Sequence, residues 1–190
     1  MWRILWYLKY LQKEIKLLMI ITRKFAFPSE WTFTIKPISK LLAKYVGNGI
    51  GWIDPFAGEN SPAELTNDLN PDRPVKFHME AVDFVNALEG KYKGILFDPP
   101  YSYRQVSEMY SGIGLKASQK DTSCQFYNRV ILAAAEKIEI GGLAISFGWN
   151  TKGFSKKHGF EIIEILIVNH GDFRNDTLVT VERKIMSKLF

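Results

Sequence analysis

Apolar and polar positions follow two different rhythms along this chain, and where one gives way to the other is the first guide to its architecture. The opening stretch, "MWRILWYLKYLQKEIKLLMIITRK", is rich in Trp, Leu and Ile but interrupted by Arg3, Lys9, Lys13, Glu14 and Lys16. Lys9, Gln12, Lys13 and Lys16 share one helical face, so residues 1–24 read as an amphipathic helical extension with a broad apolar face. After the loop "FAFPSEWTF", a second helical period runs through "TIKPISKLLAKYV", with Pro37 in its first turn and Gly47, Gly49 and Gly51 past its end. Short apolar runs then alternate with helical or turn segments. Gly51–Pro55, Leu65–Leu69, Val75–Glu80, Gly94–Asp98 and Leu143–Gly148 read as strands, with a helix over Ser123–Ile138 ahead of the last. The rhythm changes at the end, where "FEIIEILIVNHG" and "DTLVTVERK" are β-rich runs separated only by "DFRN". A link that short joins antiparallel strands. The pattern therefore predicts an α/β domain whose mostly parallel sheet finishes in an antiparallel hairpin.

Strand ends matter because ligands of an open parallel sheet bind beyond the carboxyl ends of its strands. Four expected strands each deliver an acid there: Asp54 in "GWIDPFAGEN", Asp68 after Asn67 in "ELTNDLNPD", Glu80 and then Asp83 in "KFHMEAVDF", and Asp98 in "GILFDPPYS". Any one of them alone reads as a solvated loop acid or a cap. Together on one edge they repel unless something cationic, or rich in hydroxyls and amines, lies among them. A magnesium ion is one such partner; a nucleoside carrying a sulfonium and an amino group is another. The run Asp98-Pro99-Pro100-Tyr101 sharpens the choice. Proline fixes φ, removes a backbone donor and restricts the residue before it, so this is a stiff, extended exit from a strand. Its carboxylate and carbonyls are acceptors, suited to an exocyclic amine with two hydrogens to donate. Tyr101 offers a flat face on which the ring bearing that amine can stack.

Composition narrows the picture only a little. The 190 residues suit one domain with a short extension, and a net charge of +5 is compatible with a polyanionic partner without identifying one. Cys124 is the only cysteine, which excludes an internal disulfide and a Cys-rich zinc site. His78, His158 and His170 lack metal-ligand spacing, so no metal site is expected. A cytoplasmic location follows as the expectation. No run in the N-terminal stretch approaches the roughly 18 apolar residues of a membrane span. Its apolar face is expected to pack on the domain or on a second copy, giving a homodimer, rather than to insert stably in a membrane.

With these residues in place, the chain resembles the class I S-adenosylmethionine-dependent methyltransferases, and among them the DNA adenine-N6 amino-methyltransferases with a DPPY motif. The resemblance is carried, in order, by "FTIKPI" (33–38), "DPFAG" (54–58), "NDLNP" (67–71), "HMEAVDF" (78–84), "DPPYS" (98–102) and "ISFGWN" (145–150), and by the terminal hairpin. It implies a Rossmann-like seven-stranded sheet with helices on both faces, in a domain spanning 25–190. In a departure from the family, no segment is large enough for a separate target-recognition domain. It implies S-adenosyl-L-methionine as cofactor, with Asp54, Phe56 and Gly58 lining its site, Asp68 on the ribose and Glu80 or Asp83 near the adenine. Phe33 and Thr34 fall in the segment that covers the methionine part. Asp98, Pro99, Pro100 and Tyr101 hold the target base, and DNA is the implied partner. Only "AGENSPAE" separates the first two strands, too little for a full crossover helix, so that helix is expected to be shortened or replaced. Residues 102–125 are the candidate target-contacting loop, or else a cover over the cofactor. Cytosine N4, RNA or a protein amide are alternative acceptors, and a non-catalytic partner subunit is the alternative of another class. Cys124 does not suit a cytosine-C5 mechanism, which uses a Pro-Cys loop and no amine-holding motif.

Overall fold

Successive residues of the central strands point to opposite faces, and both sets are apolar. Trp52 and Ile53, Ile95 and Leu96, Ala144 and Ile145 are all buried. A strand that is apolar on both sides needs cover on both sides. The computed structural model, which describes residues 19–100, 103–112, 114, 124–172 and 174–187, supplies that cover. Its elements in chain order are β1 (Ile20–Phe25), α1 (Lys36–Tyr45), β2 (Trp52–Asp54), β3 (Leu65–Thr66), α2 (Ala81–Ala87), β4 (Tyr92–Phe97), α3 (Tyr103–Gly112), α4 (Cys124–Lys137), β5 (Ile138–Gly148), β6 (Phe160–Asn169) and β7 (Thr177–Lys184). They build one seven-stranded sheet in the order β1-β6-β7-β5-β4-β2-β3. Every pairing is parallel except those of β7 with β5 and β6. Ile53, Ile95, Phe97 and Ala144 meet α2 and α4 on one face. Trp52, Leu96, Ile145 and Phe147 meet Ile38, Leu41 and Leu42 of α1 on the other. The fold is thus the expected Rossmann-like, mostly parallel sheet with a terminal antiparallel hairpin and helices on both faces.

The seven strands are not the seven expected. Residues 20–25 do not continue a helical extension to residue 24; they form β1, an edge strand parallel to β6. Ile20, Ile21 and Thr22 are β-branched, which favours strand over helix once the open edge of β6 is available. The junction is closed by His170, which is buried. Its Nδ1 lies 2.8 Å from the Ala26 carbonyl and its Nε2 3.0 Å from the Thr177 hydroxyl. A carbonyl only accepts, so Nδ1 donates to Ala26, and Nε2 pairs with a hydroxyl able to take either role. The remainder of the expected helix, with the homodimer contact assigned to it, concerns residues 1–18 and lies outside the described residues.

The second correction is at Val75–Glu80, where the expected strand reduces to a single parallel bridge between Asn67 and Phe77. Pro71 and Pro74 remove backbone donors just upstream, so a longer ladder cannot start there. The buried Asn67 side chain replaces it. Its Nδ2 donates to the carbonyls of Pro55 and Met79 at 3.1 and 3.0 Å, and its Oδ1 accepts the Met79 N–H at 3.0 Å. Between β2 and β3 the chain crosses in turns with no helix, as the short spacing predicted.

Candidate active site

β2 ends at Asp54, whose side chain is fully buried below the carboxyl edge of the sheet. Its Oδ1 accepts the Phe56 N–H at 2.9 Å and its Oδ2 accepts the Ser61 hydroxyl at 2.6 Å, so the carboxylate shapes the turn that follows it. That turn reaches Gly58, which has φ of +57°, a left-handed value that glycine adopts without strain. The Gly58 N–H donates to Asp68 Oδ2 at 3.1 Å, and Asp68 Oδ1 accepts the Asn70 N–H at 2.8 Å. The two loops beyond β2 and β3 are thereby tied through one carboxylate. Glu80 stands at the residue before α2, and its side chain accepts a hydrogen bond from the Tyr110 hydroxyl of α3 at 3.2 Å. Asp98, Pro99 and Pro100 leave the end of β4, where the Tyr127 hydroxyl of α4 donates to the Pro100 carbonyl at 2.6 Å.

These residues surround a cavity of about 590 Å³. Phe33, Phe56, Gly58, Asp68, Glu80 and Asp98 all line it, as do Pro99 and Pro100. Edge-to-face contacts of Phe97 with Phe56 at 5.5 Å and with Phe154 at 5.6 Å form an apolar layer under it. Three expected residues do not line it. Asp54 is fully buried beneath the turn it shapes and does not reach the cavity. Thr34 is exposed and hydrogen-bonds to Ser29 and to the Trp31 carbonyl. Asp83 lies on the exposed side of α2, leaving Glu80 as the acid from that segment. Tyr101 lies outside the described residues, as does most of 102–125 apart from α3. Tyr110, in the segment expected to contact the target or cover the cofactor, also lines it, and so do residues that sequence reasoning missed: Trp31, Arg73 and Tyr127. Ser61, beside Asp54, was missed too. None sits in a motif; Trp31, Arg73 and Tyr127 are brought in by loops or a helix remote in sequence, and Ser61 by the loop after β2 itself.

Burial pushes the Asp54 carboxyl up to about 7 against the pull of Ser61 and the Phe56 N–H, and the nearby Asp98 and Asp68 charges raise it further. A second such acid lies within the sheet itself. Burial drives Glu182 of β7 to about 7, although its carboxylate accepts the N–H groups of Phe154 and Ser155 at 2.6 and 2.8 Å.

No protein-family model matches the chain, and no curated protein matches it in sequence. Solved structures share its fold. The 1,6-didemethyltoxoflavin-N1-methyltransferase of Burkholderia thailandensis, solved with S-adenosylhomocysteine, superposes with a TM-score of 0.54 at 13% identity, over 80% of this chain and 78% of that one. TrmN from Thermus thermophilus gives 0.53 at 15% identity over 80% of this chain and 49% of its own, so this chain spans about half of TrmN. An rRNA methylase from Streptococcus thermophilus gives 0.50 at 8% identity over 77% and 93%. At these identities the shared property is the fold, a Rossmann-like methyltransferase fold.

Proposed function

We propose that this chain is an S-adenosylmethionine-dependent methyltransferase that modifies the exocyclic N6 amine of adenine in DNA. The observation that carries the reading is the position of Asp98-Pro99-Pro100, which leave β4 at the wall of a cleft already lined by Asp68 and Glu80. The donor set fits the cofactor: Asp68 and Glu80 line the cleft and offer carboxylates to a ribose diol and an adenine amine, while Asp54 shapes the turn beneath it from its buried position. Gly58 lines the cleft without a side chain, so its turn would let a ligand approach the backbone. The likeness to a methyltransferase solved with S-adenosylhomocysteine supports the same choice.

When bound, the cofactor supplies an electrophilic methyl on a positive sulfur. The protein's task is to make a poor nucleophile adequate, because an aromatic amine shares its lone pair with the ring. Asp98 and the Pro99 carbonyl accept the two amine hydrogens, which turns the lone pair out of the ring and stabilises the positive charge that develops on nitrogen. Tyr127 engages the Pro100 carbonyl and fixes the rigid dipeptide, so the acceptors stay in place. The base must be flipped from a duplex or already single-stranded to enter the cleft. RNA is the second reading, favoured by the likeness to the rRNA methylase.

The test incubates the purified protein with S-adenosylmethionine and DNA, RNA and protein substrates, followed by digestion and mass spectrometry, with Asp98→Ala as control. N6-methyladenine in DNA, lost in the variant, is the expected result. Methylated RNA, N4-methylcytosine or a methylated amide overturns the acceptor assignment. Cofactor binding without any product points to a non-catalytic subunit, and no cofactor binding ends the methyltransferase reading.

A further inference from the structure

The charge of the cleft is lopsided. Glu30, Asp68, Glu80 and Asp98 line it, and Arg73 is the only lysine, arginine or histidine among its described lining residues. Arg73 sits in a specific arrangement. Its guanidinium carbon stands 5.0 Å from the centroid of the Trp31 ring, and the same guanidinium forms an ion pair with Glu59. Trp31 packs beside the Gly58 turn; a Cβ on Gly58 would lie 3.5 Å from its ring. Three segments remote in sequence thus meet at the turn: the connector before residues 32–34, the loop after β2 and the loop after β3.

On the methyltransferase reading, the ligand carries a sulfonium, an ammonium and one carboxylate. The acids of the cleft serve the cations and the ribose hydroxyls. The carboxylate has no use for them and is repelled by all of them. A guanidinium laid against an aromatic ring keeps its edge N–H groups available, in the planar fork that matches a carboxylate. Glu59 engages one nitrogen of that fork with a carboxylate of the protein's own. We infer that Arg73 is the receptor for the cofactor's α-carboxylate, that Trp31 orients its guanidinium, and that Glu59 is the internal carboxylate the ligand displaces. Arg73 is thereby a specificity residue for the amino-acid end of the cofactor.

The test is calorimetry on the full chain with two ligands that differ only in that group, S-adenosylmethionine and its decarboxylated form. The wild-type protein prefers the carboxylated ligand by about 10- to 100-fold, the span of a charge-assisted hydrogen-bonded pair. Arg73→Ala weakens binding of S-adenosylmethionine by that factor and leaves the decarboxylated ligand unchanged, so the preference disappears. Glu59→Gln tightens S-adenosylmethionine severalfold by removing the competitor and does not affect the decarboxylated form. If Arg73→Ala weakens both ligands equally, the residue only supports the loop, and the inference is overturned. Equal affinity of the wild-type protein for the two ligands overturns it as well, while leaving the methyltransferase reading intact. Failure to bind either ligand brings down both, and that outcome is distinct from the other two. Arg73 is partly exposed, with about a third of its side chain accessible, so loss of folding does not obscure the comparison.

Discussion

Replacing Asp54 with asparagine asks whether a buried acid at the base of the cleft is held there at a cost. Its carboxyl is raised from an ordinary 3.8 to about 7, with burial as the largest cause. The folded protein therefore keeps a proton on this group between about pH 4 and 7, where the unfolded chain has lost it. With more protons on the folded state, stability falls as pH rises through that window and is level above it. At 1.36 kcal/mol for each tenfold change in proton affinity, the ionised Asp54 costs about 4 kcal/mol at pH 8. Asparagine avoids that cost and keeps the local contacts. Its Oδ1 still accepts the Phe56 N–H, and its Nδ2 can donate to Ser61 Oγ, which accepts in place of donating.

The assay is thermal unfolding of the ligand-free wild-type and Asp54→Asn proteins from pH 4.5 to 8. The variant's advantage is expected to be small at the acid end and to grow with pH. A gain of 4 kcal/mol in a chain of this size raises Tm by about 8–16 °C at pH 8. Glu182 is raised by burial in the same way and adds its own slope in both proteins, so only the difference between the curves isolates Asp54. Parallel stability curves for the two proteins across the whole pH range would refute the reasoning.

Two further perturbations test how the site is held. Tyr127→Phe removes the hydroxyl that donates to the Pro100 carbonyl; kcat is expected to fall about tenfold through lost positioning, with cofactor affinity unchanged, as steady-state kinetics and calorimetry will report. Asn67→Ala strips three hydrogen bonds from the backbone at Pro55 and Met79, and urea unfolding is expected to show a loss of about 2–4 kcal/mol.

The parts of this molecule visible in its sequence are those encoded locally. Pro37 opens α1 in its first turn, and Ile38, Leu41 and Leu42 keep helical spacing, so that helix was legible from ten residues. The hairpin of β6 and β7 was legible because its link leaves no room for a helix. The acids Asp54, Asp68, Glu80 and Asp98 were legible because each follows an apolar run or a turn that sets its place on one edge. What escaped depends on distant partners. Nothing in "IITRKF" says that its neighbour is β6. Nothing in "HMEAVDF" says that Asn67 will take over a ladder its own strand cannot extend. Tyr127 reaches the Pro100 carbonyl across 27 residues, and Arg73 meets Trp31 and Glu59 only after the loops have folded over Gly58.

The placement of β1 has a bearing on the order in which the molecule assembles. The first described strand pairs only with β6, and the hydrogen bond from His170 to Ala26 that secures it spans 144 residues. Closing a loop of that length costs about 4 kcal/mol of chain entropy before any contact compensates for it. The sheet from β2 to β7 encloses both cores without β1, so β1 has little reason to dock early and joins a surface already formed. On the ribosome, β1 leaves the exit tunnel long before β6 and has no partner in the meantime. Its pairing therefore closes late in folding, after the strand it docks on is already part of the sheet.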